Sequence, residues 1–166
     1  QPDIRASERT FQLIAQVAGR TGRSERGGRV LVQSACPDDP AIRLACEHDY
    51  AGFVTHELAH RRATLTPPFT SLARVILRSP DESAVADLAR GTADVLRRVQ
   101  PDPATVRILG PAPAPISRVK NYYRFHLQLA AETSEEIREL WLSAVSDLPR
   151  HPSVESVIDV DPLNLR

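Results

Sequence analysis

The chain has 166 residues, room for one ordinary domain or two small ones, and its 42% hydrophobic and 25% charged side chains are enough to build a packed core. Lys plus Arg and Asp plus Glu number 21 each, so the formal net charge is zero and the chain as a whole is not a general polyanion binder. It has no run of about 18 apolar residues to span a membrane, no signal peptide is expected, and its two cysteines, Cys36 and Cys46, stand outside any CxxC pair and read as free thiols.

Charge is nevertheless uneven. Residues 1–29 carry six arginines against three acids. A helix is expected from about Ser7, with Phe11, Ile14, Val17 and Ala18 on its apolar face at the 3.6-residue period, ending at Gly19. Ser24–Gly28 is polar and glycine-bearing and reads as a loop. Arg29–Ser34, with three apolar residues between polar flanks, reads as a short strand. Pro37-Asp38-Asp39-Pro40 stops it and opens a helix, with Asp39 as N-cap and Pro40 at the first helical position. The helical pattern runs to about Arg62, with a break near Asp49 or Gly52, and Pro67-Pro68 closes this first part.

From Phe69 the pattern changes. Ser71–Arg78 alternates Ala73, Val75 and Leu77 against Leu72, Arg74, Ile76 and Arg78, a strand with two different faces. Ser79-Pro80-Asp81-Glu82 reads as a capping box with proline at the first helical position. The helix it opens gathers Val85, Leu88, Thr92, Val95, Leu96 and Val99 on one side. Val106–Leu109 reads as a short strand that ends in the proline-rich Gly110–Pro115. In the next strand Tyr123, Phe125, Leu127 and Leu129 oppose Tyr122, Arg124, His126 and Gln128. Thr133-Ser134-Glu135-Glu136 is a second capping box, ahead of a helix with Ile137, Leu140, Trp141, Ala144, Val145 and Leu148 on one face. Trp141 is placed in the core. Val154–Val160 is the last strand. The order β-α-β-β-α-β is that of a ferredoxin-like sandwich, two helices covering one side of a four-stranded antiparallel sheet.

Three constellations could carry chemistry. The first is Gln16-Val17-Ala18-Gly19-Arg20-Thr21-Gly22-Arg23, where two arginines are spaced across two glycines at a helix end. Their planar, always-charged forks suit phosphate oxygens, and glycine lets backbone approach closely. The second is His56-Glu57-Leu58-Ala59-His60, which spells the zinc-peptidase motif HExxH. Arg61 and Arg62 follow at once, where such a helix is normally apolar. No third ligand stands out, since His126 and His151 lie in strand and loop contexts, so a solvated helix face is the better account. The third is the sheet face away from the helices. Arg74, Arg78, Tyr122, Arg124 and His126 project from it, with Arg118 and Lys120 in the adjoining loop. Aromatic and basic side chains on a four-stranded sheet can stack bases and hold phosphates. The same face could instead pack on the preceding helices. The glycine-aromatic signature of RNA-recognition modules is absent.

The run Glu8-Arg9-Thr10-Phe11-Gln12-Leu13-Ile14-Ala15, continued by the arginine motif, resembles the end of the second motor lobe of the PriA replication-restart helicases (primosomal protein N′). Further pieces follow in that family's order: Gly28–Gln33, Pro40–Ile42, His48–Tyr50, Phe53, Glu57-Leu58, Arg61-Arg62, Pro67–Phe69, Leu109–Pro113 and Asp159–Pro162. The resemblance implies that residues 1–66 are the tail of a RecA-like lobe, the 29–34 strand pairing into its sheet, and that residues 67–166 are a ferredoxin-like C-terminal domain. It also implies that Gln16, Arg20 and Arg23 face the phosphates of ATP bound by the other lobe, with Arg20 and Arg23 as arginine fingers. Such a finger is worth about 10³–10⁵ in rate. Gly19 and Gly22 would supply turn geometry.

No P-loop and no acidic magnesium motif occurs here, so this stretch alone is not expected to hydrolyse ATP. ATP and Mg belong to the full-length protein, and the family's zinc ligands belong upstream, leaving no metal in these residues. A chain that contains no Met and enters mid-motif reads as a C-terminal fragment. The activity implied is ATP-driven unwinding, three-prime to five-prime, at stalled forks. The implied partners are branched and single-stranded DNA, the acidic tail of single-stranded DNA-binding protein, and helicase-loading primosome proteins. The implied compartment is the cytoplasm. Arg138 is a candidate for the acidic tail, although Glu135, Glu136 and Glu139 make its helix acidic. The alternative is a stand-alone ferredoxin-like module that binds nucleic acid or protein through the Tyr122/Arg124 face without catalysis.

Overall fold

The computed structural model describes residues 4–21 and 29–162. The chain divides into two compact units that meet in sequence at Thr64 and Leu65.

The first unit is helical. It contains α1 (Ala6–Thr21), α2 (Pro40–Cys46) and α3 (Tyr50–Ala63). Phe11 of α1 is buried among Ala41, Leu44, Ala45 and Phe53, and its ring stacks on Phe53 with centroids 4.4 Å apart. The caps are local. Asp39 Oδ1 accepts from the Ala41 N–H at 2.8 Å, and Asp49 Oδ1 accepts from the Gly52 N–H at the same distance. A Cβ on Gly52 would stand 2.2 Å from Asp49 Oδ2, so the second cap requires glycine there. The break expected near Asp49 or Gly52 falls at 47–49, between α2 and α3, and Asp49 there caps α3 over the bare backbone of Gly52.

Two secondary-structure expectations fail in this unit. Helix α1 does not end at Gly19 but continues to Thr21. Glycine inside a helix costs only about 1 kcal/mol, and Gly19 is not in a left-handed conformation that would turn the chain. Residues 29–34 form no strand, and Leu31 is 95% exposed. Among the described residues this unit has no other strand to pair with, and β-prone residues without a partner leave their backbone groups unsatisfied.

The second unit contains β1 (Ser71–Ser79), α4 (Glu82–Val99), β2 (Arg107–Val119), β3 (Tyr122–Ala131), α5 (Ser134–Ala144) and β4 (Glu155–Val160). The sheet order is β2-β3-β1-β4, and every neighbouring pair is antiparallel. This is the ferredoxin-like α+β arrangement expected from the order of elements. The alternation in β1 and β3 sends Ala73, Val75, Leu77, Leu127 and Leu129 to one side, where α4 and α5 cover them with Val85, Leu88, Leu96, Ile137 and Leu140. Trp141 packs against this core, as expected. The second capping box is present: Thr133 Oγ1 accepts from the Glu136 N–H, and Glu136 Oε2 accepts from the Thr133 N–H.

Three local readings are corrected. Ser79 is fully buried as the last residue of β1, so the cap of α4 passes to Asp81, whose Oδ1 accepts from the Ala84 N–H at 3.1 Å. Pro80 then precedes the cap instead of opening the helix. Strand β2 does not stop at Leu109 but runs through the prolines to Val119. It lies at the sheet edge, where a missing N–H can point away from the ladder. Gly110 there has φ +93°, and an added Cβ would meet His126 O at 2.9 Å. Val145 is 42% exposed because α5 ends at Ala144. Among the described residues no helix is long and apolar enough to cross a membrane.

Candidate nucleic-acid interface

The helix-free side of the sheet is built by cross-strand register. Opposed residues of an antiparallel pair share a face. Arg74, Ile76 and Arg78 on β1 stand opposite Gln128, His126 and Arg124 on β3, and opposite Asp159, Val157 and Glu155 on β4. Toward one end this face is closed: Arg74, His126 and Gln128 are all under 10% exposed. At the β2–β3 hairpin end it opens into a depression of ≈ 430 Å³ lined by Ile76, Arg78, Val119, Lys120, Tyr122, Arg124, Glu155 and Val157.

The structure therefore brings together only part of the expected set. Lys120, Tyr122 and Arg124 converge, joined by Arg78, whose guanidinium lies 5.8 Å from the Tyr122 ring centroid. Arg74 does not join them. It is buried and faces Asp159 at 3.8 Å; burial lowers its pKa, Asp159 opposes that shift, and Arg124 adds to it. Arg118 does not join them either. It lies in β2 rather than in a loop, opposite Tyr123 on the helix side, with its guanidinium 5.1 Å over that ring. Lys120 and Asn121 form the two-residue turn, with φ of +49° and +67°. This is the primed geometry whose twist matches a hairpin. Glu155, Val157 and Val119 belong to the site but were missed from sequence, because only register places them there.

In the first unit, Gln16, Gly19 and Arg20 are all exposed on the last turns of α1. Gln16 and Arg20 are four residues apart and share one helix face. The Arg20 guanidinium has no partner among the described residues. Such donors can bond phosphate oxygens brought from outside. Arg23 and Gly22 lie outside the described residues. The HExxH stretch resolves differently. His56 and His60 are exposed, but Glu57 turns inward, where its Oε1 accepts from Arg61 Nε at 2.8 Å. Glu57 and Arg61 are therefore packing residues and not the solvated face expected for them. Among the described residues no group of three His, Cys, Asp or Glu could hold a metal ion. Arg138 is held by Glu135 through two hydrogen bonds of 3.0 and 2.6 Å, and that contact keeps the Glu135 pKa below the usual carboxylate range.

Residues 62–163 match the family described as Primosomal protein N C-terminal domain. The chain is also 35% identical over 164 residues to Replication restart protein PriA of Bacillus subtilis (strain 168), an overlap that takes in 97% of the chain and 20% of that relative. Against the protein of the same name from Rickettsia typhi it is 36% identical over 163 residues, 96% of the chain and 24% of the relative. Against that from Treponema pallidum it is 35% identical over 164 residues, 99% and 25%. The chain thus spans about a fifth to a quarter of the length of these relatives. With a family match over most of its length and this level of identity end to end, the chain belongs to the PriA family and carries its primosomal protein N C-terminal domain.

Proposed function

We propose that this chain acts in replication restart, as part of an ATP-dependent helicase whose second unit contacts nucleic acid through the open hairpin end of its sheet. The observation that carries this reading is the convergence of Lys120, Tyr122 and Arg124 around one depression in a chain of zero net charge. A half-buried aromatic ring such as that of Tyr122, next to cations, can stack a base on its open part while they hold a phosphate. In this reading, forked and single-stranded DNA are the substrates, and the tail of single-stranded DNA-binding protein and helicase loaders are the partners.

ATP with Mg, held by a lobe that carries a P-loop, supplies the driving phosphoryl transfer. Gln16, Arg20 and Arg23 present hydrogen-bond donors to its phosphates, Arg20 and Arg23 as fingers.

The test is binding of the chain to forked and single-stranded DNA across a salt series, with Tyr122→Ala and Arg124→Ala alongside. Salt-sensitive binding weakened by both changes supports the reading, because phosphate contacts release counterions. No binding at low salt points instead to the rival, a ferredoxin-like module that docks protein. Arg20→Ala, placed in a longer protein that joins this segment to a P-loop lobe, should lower ATP turnover by about 10³ or more. Unchanged turnover would remove the finger role.

A further inference from the structure

We propose that Glu155 makes the hairpin-end site selective for a single nucleic-acid strand over a duplex, an inference that rests on reading the patch as a nucleic-acid contact. The sheet face is charged in rows. Lys120 and Arg124, on the hairpin, have no carboxylate within ion-pair distance among the described residues. One strand over, Arg78 gives both Nε and Nη2 to Glu155 Oε2, at 2.9 and 2.5 Å. Further along β1, Arg74 faces Asp159. On this face β4 thus presents Glu155, Val157 and Asp159, a row of negative charge interrupted by one valine. Among the described residues the cations of β1 are answered by carboxylates and those of the hairpin are not.

Spacing turns these rows into a selector. Adjacent strands lie about 4.8 Å apart, so β4, two strands from β3, is roughly 10 Å from it. The major groove of B-DNA is about 12 Å wide. A duplex with one backbone on Lys120 and Arg124 would carry its other backbone across the groove to the Glu155 row, phosphate against carboxylate. A single strand has no second backbone. It meets only the cationic row and can lay a base on Tyr122 beside Arg78.

The test is fluorescence anisotropy of the chain with a labelled oligothymidylate and with a blunt duplex. Glu155→Gln should raise duplex affinity about tenfold and single-strand affinity much less, because it frees Arg78 for phosphate and removes the repulsion. It should also steepen the duplex salt dependence by about one contact, a slope change of about 0.9. Asp87→Asn makes the same charge change on α4, where Asp87 pairs with Arg90 away from this face, and should alter neither affinity. The double variant Lys120→Ala, Arg124→Ala should lose single-strand binding. If the double variant weakens single-strand binding but Glu155→Gln leaves the ratio of duplex to single-strand affinity unchanged, the selectivity is overturned and the site stands. Asp87→Asn mimicking Glu155→Gln overturns it too, by reducing it to net charge. Single-strand binding indifferent to the double variant overturns the site and the selectivity with it.

Discussion

Arg61 on α3 donates from Nη2 to Glu8 Oε1 on α1 at 2.7 Å while its Nε holds Glu57 Oε1 at 2.8 Å. The same Nη2 also reaches the Ile4 carbonyl at 2.9 Å. One guanidinium therefore ties the two long helices of the first unit together from a position with little water. Arg61→Ala strands Glu57, which is 9% exposed, as a buried carboxylate without this partner. The expected cost is about 3 kcal/mol, within the range for breaking one side of a buried pair. His56→Ala, one residue from Glu57 but exposed, should stay within about 0.5 kcal/mol. Urea unfolding followed by helical circular dichroism compares the two. Equal effects would mean that the network contributes nothing beyond a surface pair.

Lys120 holds a left-handed backbone at φ +49°, which costs a non-glycine residue about 1–2 kcal/mol. Lys120→Gly should therefore stabilise the hairpin by about 1 kcal/mol. The same change should lower single-strand affinity and flatten its salt dependence by about 0.7, the slope of one phosphate contact. A stability gain with a binding loss would mark strain tolerated for a ligand contact. A stability gain with unaltered binding would leave Lys120 as an ordinary turn residue.

How much of this was legible in the sequence depends on register. The two faces of β3 could be read directly, because Tyr123, Phe125, Leu127 and Leu129 alternate with polar residues over an unbroken strand. The placement of Arg118 could not. From Leu109 to Ala112 the edge strand takes three steps against two on β3, and from Pro113 to Arg118 it takes five against two. Each odd excess moves the following side chains to the other face. Nothing in a proline-rich stretch states how many residues will bulge. The membership of Glu155 was hidden for a related reason, since its pairing with Arg78 joins residues 77 apart in sequence. The 29–34 stretch misled because strand propensity is local, whereas a strand also needs a partner.

Gly19 sits within α1 with nothing inside 4 Å of where a Cβ would stand. Gly19→Ala should therefore raise the stability of the helical unit by about 1 kcal/mol. If the proposed role of Gln16 and Arg20 holds, the added methyl lies where a phosphate-bearing lobe must approach. The same change in a longer protein with a P-loop lobe should then slow ATP turnover. Stability up and turnover down would show that glycine is kept for that approach. Stability and turnover both unharmed would make Gly19 a neutral helix position.

His126 is 8% exposed on β3, opposite Ile76 on one side and Ala112 on the other. Burial first, then the positive charges of Arg74 and Arg124, hold its pKa below the ordinary 6.5. The unfolded chain takes up this proton near pH 6.5, whereas the native protein resists it to lower pH. Between those two values the unfolded state binds more protons, so stability rises with pH across the window. The contribution is complete above about 6.5 and is lost as pH falls toward the lowered native value. The other four histidines, 48, 56, 60 and 151, are all exposed. Urea midpoints measured from about pH 7.5 down to about 5, above the ordinary carboxylate range, should therefore fall for the native sequence. His126→Gln keeps a polar side chain at the position but has no proton to gain, so its midpoints should stay level. Parallel declines in both proteins would show that the acid sensitivity comes from another group and that His126 is not held neutral by its surroundings.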